Sequence, residues 1–204
     1  MGGKLLDSIC LITSKEPGNK KFGTGFVIFQ EENLTYILTC AHVVDDVGGA
    51  DCVRVSAVDI LVDATVIACG CQEESNSKVY LPADMAVLEV SGLSAIPVLN
   101  LYPWQNWKKI PVTIVGFCKF ISNEDVVGRP LDGALGKQVI LQAKDSAVQV
   151  KAWDLKIDDE DNLEGGYSGS PLVDDSLGSV FGIVSHRRSG GTKGQSGPPR
   201  GSGG

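Results

Sequence analysis

The feature that most constrains the fold is a succession of short runs rich in Val, Ile, Thr and Phe. They read "SICLIT", "GTGFVIF", "TYILTCA", "VRVSAV", "ATVIAC", "MAVLEV", "PVTIVGF", "QVILQAK", "AVQVKA" and "SVFGIVS", with Gly, Pro, Asn and Asp between them. No long stripe at the helical period of 3.6 residues competes with them. Many short strands without intervening helices predict an all-β sandwich or barrel. "AHVVDDV" alone suits a short helical turn.

The stretch from Ser91 to Lys109 breaks this rhythm with Pro97, Pro103, Trp104 and Trp107. It reads as a connection between two halves of similar length, although no residue-level repeat relates them. The chain therefore divides into an N-terminal β unit (1–93), a connection (94–109) and a C-terminal β unit (110–188). Residues 189–204 collapse to Gly, Ser and Pro and are too poor in apolar side chains to pack, so they read as a flexible tail or linker.

Composition narrows the partners. A hydrophobic fraction of 43% and a charged fraction of 21% suit a soluble globular chain. The net charge of −7 repels nucleic acid and anionic membrane, so neither is an expected partner. No apolar run reaches the ~18 residues that span a bilayer. The start "MGGKLLDSIC" lacks the cationic region and apolar core of a secretory signal, which predicts a cytoplasmic location. In that compartment the six cysteines read as free thiols rather than disulfides. Cys69 and Cys71 lack the spacing of a zinc knuckle, and neither a metal nor another cofactor is expected.

The chemistry concentrates at a few positions. "EGGYSGSPLV", from Glu164 to Val173, sets Ser168 and Ser170 among glycines just before a Pro. A serine hydroxyl is a weak nucleophile unless a base lies within hydrogen-bond reach. Imidazole can take the proton and return it near neutral pH, and the chain has only two histidines, His42 and His186. His42 sits where the run "YILTCA" ends, and Asp84 leads into the alternating run "MAVLEV". A buried carboxylate fixes the tautomer of such a base and stabilises its cation. Each residue also has a plain reading: a strand-end histidine, a turn aspartate, a turn serine. Asp45, Asp46 and Asp59 are the rival acids.

Together, "LTCAHVV", "DMAVLEV", "GYSGSPL" and "FGIVSH" resemble the signature regions of trypsin-like (chymotrypsin-fold) serine peptidases. They stand in that family's order and at about its spacing, and the likeness covers nearly all of Ile9 to Arg188. It implies two packed antiparallel six-stranded Greek-key β-barrels with the active site in the cleft between them. It also implies a serine endopeptidase that works through an acyl-enzyme. Ser168 takes the place of the nucleophile, His42 of the base and Asp84 of the orienting acid. Gly166 and Ser168 would supply the N–H groups of the oxyanion hole. Ser185, His186 and Arg187 match the segment that pairs with a protein or peptide substrate bound as an extended strand, with His186 shaping the groove. Asn162 stands where trypsin-like enzymes hold the aspartate that binds Arg or Lys. Asp161 beside it leaves a mild lean to basic residues, and "IDDEDN" reads equally well as a solvated acidic loop.

Two departures from the family matter. Tyr167 replaces the aspartate that pairs with a processed amino terminus, and the cysteines do not match the family's disulfides. Both imply an intracellular bacterial type of the family, whose oxyanion loop can be ordered by a partner or another domain. The Gly-rich tail then reads as a linker from a regulated protease module to an appended regulatory domain. Two other classes stay open. One is a catalytically silent trypsin-like binding module, against which the presence of all three triad types speaks. The other is a serine esterase.

Overall fold

The structure is a computed structural model, and it describes residues 5–70, 72–74, 77–79, 84–103, 110–119, 125–142, 149–157 and 165–185. In the N-terminal half the strands are β1 (Ile9–Ser14), β2 (Phe22–Glu31), β3 (Leu34–Thr39), β4 (Val53–Ala57), β5 (Ile60–Asp63), β6 (Thr65–Cys69) and β9 (Ala86–Ser91). They form one antiparallel sheet in the order β5-β4-β1-β2-β3-β9-β6. The backbone of β7 (Gln72–Glu74) and β8 (Ser77–Val79) forms a separate two-stranded ribbon. A short helix, α1 (Ala41–Asp46), follows β3 where "AHVVDDV" predicted a helical turn, and a single 3-10 turn follows at Ala50–Cys52.

The second sheet holds β10 (Pro111–Lys119), β11 (Val126–Gln142), β12 (Gln149–Ile157), β13 (Pro171–Asp174) and β14 (Val180–Ile183), in the order β12-β11-β10-β13-β14. Both sheets are antiparallel and curled, so the molecule is the all-β double barrel that the sequence predicted. The described strands divide seven and five rather than six and six. In the first sheet β5 and β6 are one segment bent at the buried Ala64, whose N–H donates to the Val53 carbonyl at 3.1 Å. Its two arms pair with β4 and with β9, at opposite edges, which closes the barrel without a further strand.

Three apolar clusters hold this arrangement. Ile12, Val27, Ile37, Val55 and Leu88 fill the first barrel, and Val112, Ile114, Leu131 and Leu172 fill the second. A third cluster draws Ile9 and Phe26 from the first sheet and Val115, Val173 and Val180 from the second, with Leu99 of the connection. It is a shared core between the barrels. The connection is also tied at both ends: Leu99 N–H donates to the Val27 carbonyl at 2.9 Å, and Tyr102 N–H to the Val180 carbonyl at 2.8 Å.

Candidate active site

α1 carries His42, and its buried Ala41, Val43 and Val44 seat it on the first barrel. Asp84 lies just before β9, which pairs with β3 up to Thr39↔Ala86. This register brings Asp84 against the start of α1. The His42 ring Nδ1 lies 2.8 Å from Asp84 Oδ2, and the His42 backbone N–H donates to Oδ1 at 3.0 Å. The Ser185 hydroxyl donates to Oδ2 as well. Burial alone pushes the Asp84 carboxyl up, but bonds from the His42 ring, Ser185 and the His42 backbone outweigh it and hold the group below its usual range. The acid is therefore kept charged, with its lone pairs aimed at the imidazole.

Ser168 sits in the turn before β13. Its carbonyl accepts from Thr24 N–H at 2.9 Å, and Gly169 N–H donates to the Val184 carbonyl at 2.7 Å. The turn is thus stitched to both barrels. Gly166 and Gly169 have φ of +116° and +88°, where L side chains are rare. A Cβ on Gly169 would overlap the Thr24 carbonyl, and one on Gly166 would overlap the Phe22 ring. Glycine is required at both positions. Among the described residues, neither the Gly166 N–H nor the Ser168 N–H donates to an internal acceptor. The Ser168 hydroxyl donates to the Ser185 carbonyl at 3.3 Å. That bond goes to Ser185 rather than to the His42 ring.

The predicted residues therefore meet around Ser185, which binds Asp84 through its side chain and Ser168 through its carbonyl. Asn162, His186 and Arg187 lie outside the described residues. Tyr167 is buried in the core of the second barrel, and its hydroxyl donates to the Arg129 carbonyl at 3.3 Å. Sequence reasoning missed two neighbours. Cys40 donates its thiol to the Val184 carbonyl at 3.3 Å, and burial followed by the Asp84 charge pushes that thiol well above its ordinary pKa. Cys40, His42 and Asp84 stand close enough to hold a metal ion. The imidazole and carboxylate already satisfy each other, however, and a buried protonated thiol is a poor ligand. Thr24 is the other neighbour; a small polar residue between two glycines at a strand start, in "GTGF", was its only signal.

A double barrel with these groups at its seam defines the class of trypsin-like peptidases. The family model described as the trypsin-like peptidase domain matches residues 23–183, and the chain belongs to that family. Its class is that of a serine endopeptidase. Among solved structures, the active form of the Rv3671c protease from M. tuberculosis superposes with a TM-score of 0.66 at 25% identity, over 92% of this chain and 74% of that one. The inactive form of the Rv3671c protease gives 0.64 at 24%, over 90% and 79%. A serine endoprotease from Yersinia pestis gives 0.57 at 17%, over 90% and 55%, a likeness of fold alone. No curated protein matches the sequence. Among the described residues, no helix is long and apolar enough to cross a membrane.

Proposed function

We propose that the chain hydrolyses peptide bonds with Ser168 as nucleophile, His42 as general base and Asp84 as the orienting acid. The observation that carries this reading is the Asp84 carboxylate, which collects the His42 ring, the His42 backbone and the Ser185 hydroxyl while Ser168 lies across Ser185. Ser168 Oγ attacks the scissile carbonyl carbon and its proton passes to His42. The carbonyl oxygen becomes negative and is met by the N–H groups of Gly166 and Ser168. The C–N bond breaks as His42 returns the proton to the leaving amine, leaving an acyl-enzyme. Water, deprotonated by His42, then attacks the acyl carbon, and the proton returns to Ser168 as the acid leaves.

At rest the arm from base to acid is closed, while the nucleophile's bond goes to the Ser185 carbonyl. Catalytic bonds often tighten only when substrate binds. The substrate in this reading is a peptide laid as an extended strand beside Ser185, His186 and Arg187. The lean to Arg or Lys rests on Asp161 beside Asn162. The Gly, Ser and Pro content of residues 189–204 supports a protease module joined to a regulatory domain. A catalytically silent module is the second reading, favoured by the Ser168 bond to Ser185.

The test is cleavage of casein by the parent, His42→Ala and Ser168→Ala proteins, followed by mass spectrometry of the fragments. Cleavage by the parent alone is the expected result. Hydrolysis of p-nitrophenyl acetate without any peptide cleavage would favour the esterase instead.

A further inference from the structure

We infer that Thr24 is a positioning residue for the oxyanion loop, acting through its side-chain hydroxyl from the opposite barrel. This rests on the reading of Ser168 as nucleophile and of Gly166 and Ser168 as oxyanion donors. Thr24 lies in β2 of the first barrel and is fully buried. Its hydroxyl donates to the Gly166 carbonyl at 2.8 Å and accepts from the Phe117 N–H of β10 at 2.9 Å. Its backbone N–H donates to the Ser168 carbonyl at 2.9 Å. Its own carbonyl accepts from the Thr39 hydroxyl at 2.7 Å, at the end of the strand that leads into His42.

One residue thus grips the nucleophile loop at two peptides. The hydroxyl fixes the plane of the Gly166–Tyr167 peptide, and the N–H fixes that of Ser168–Gly169. Both candidate oxyanion donors flank or lie between these clamps. Gly166 is the residue most able to rotate them out of place, because no Cβ restricts it. Accepting from Phe117 polarises the Thr24 hydroxyl and strengthens its bond to Gly166. Through Thr39, the same residue sets the loop against the strand that carries the base. Tyr167, between the two donors, is turned into the apolar core of the second barrel, and Thr24 anchors the Gly166 carbonyl beside it.

The test is the rate of fluorophosphonate labelling of Ser168 in the parent, Thr24→Val and Thr24→Ser proteins, followed over probe concentration. Rates are taken per folded molecule, with the folded fraction read from thermal melts. Thr24→Val keeps the shape and the backbone N–H but lacks the hydroxyl. Its maximal labelling rate is expected to fall about 10-fold, less than the loss of an oxyanion donor itself, with half-saturation changed less than about 2-fold. Thr24→Ser is expected to label at the parent's rate, because the hydroxyl remains. Parent-like labelling by folded Thr24→Val would overturn the inference. So would a loss that only tracks unfolding, or an equal loss in Thr24→Ser. A parent that takes no label on Ser168 would instead remove the nucleophile reading, and this inference with it.

Discussion

At the residue scale, Asp84 shows how a site is held by its surroundings. Its carboxyl is nearly buried, yet it stays charged because several donors converge on it. Asp84→Asn keeps the shape but holds the imidazole in the wrong tautomer. The expected loss in kcat is about 10⁴-fold, measured on the parent's best peptide substrate. The same bonds set a pH dependence. A carboxyl held below its unfolded pKa of about 3.9 contributes its full stability above that value and loses it as pH falls through the lower folded one. The melting temperature of the parent should therefore exceed that of Asp84→Asn at pH 7, with the gap closing below about pH 4. A gap that stays constant across that window would show that the carboxylate gains nothing from its partners. His42, Asp84 and Ser168 could be singled out in the sequence because serine nucleophilic chemistry asks for those residue types, and the structure sets His42 on Asp84 and Ser168 on Ser185. Thr24 could not be, because its role comes from a contact between residues 142 positions apart.

At the element scale, strands were legible wherever apolar residues ran unbroken. "SICLIT", "MAVLEV" and "PVTIVGF" became β1, β9 and β10 nearly as written. β5 and β13 were missed because each is a four-residue run closed in by Asp or Pro turn residues, and β7 and β8 because their three mostly polar residues show no apolar period. The first half of β11 was missed because Gly128, Pro130 and Gly133 break its pattern. The structure explains that Pro. β11 pairs with β10 up to Ala134, while its pairing with β12 begins only at Gly133. Among the described residues, Pro130 thus lies in a stretch paired with β10 alone, where its missing N–H costs no ladder bond. The hairpin between β4 and β5 holds the opposite case. Val58 and Asp59 take φ of +45° and +63°, and Val58 is 66% exposed. A β-branched residue is strained there, whereas Asn suits such a turn. Val58→Asn should stabilise the protein by about 1 kcal/mol, read from urea unfolding with an unchanged m-value. Destabilisation would mean that Val58 makes a contact worth more than the strain.

At the scale of the whole molecule, the shared core makes the two barrels one object. Phe26 is fully buried where they meet. Phe26→Ala should cost about 3–5 kcal/mol, lowering the melting temperature by about 10 °C while leaving a single calorimetric transition. Two separate transitions would show that the barrels unfold independently. Joining them matters to the proposed mechanism because His42 and Asp84 belong to one and Ser168 to the other, so their spacing is only as rigid as the contact between the barrels. The central claim is that Ser168 in that cleft is an activated nucleophile. Fluorophosphonate treatment of the parent and of Ser168→Ala, read by intact mass, tests it most directly. One adduct on the parent and none on the variant is the predicted result. No adduct on either, or equal labelling of both, would contradict it.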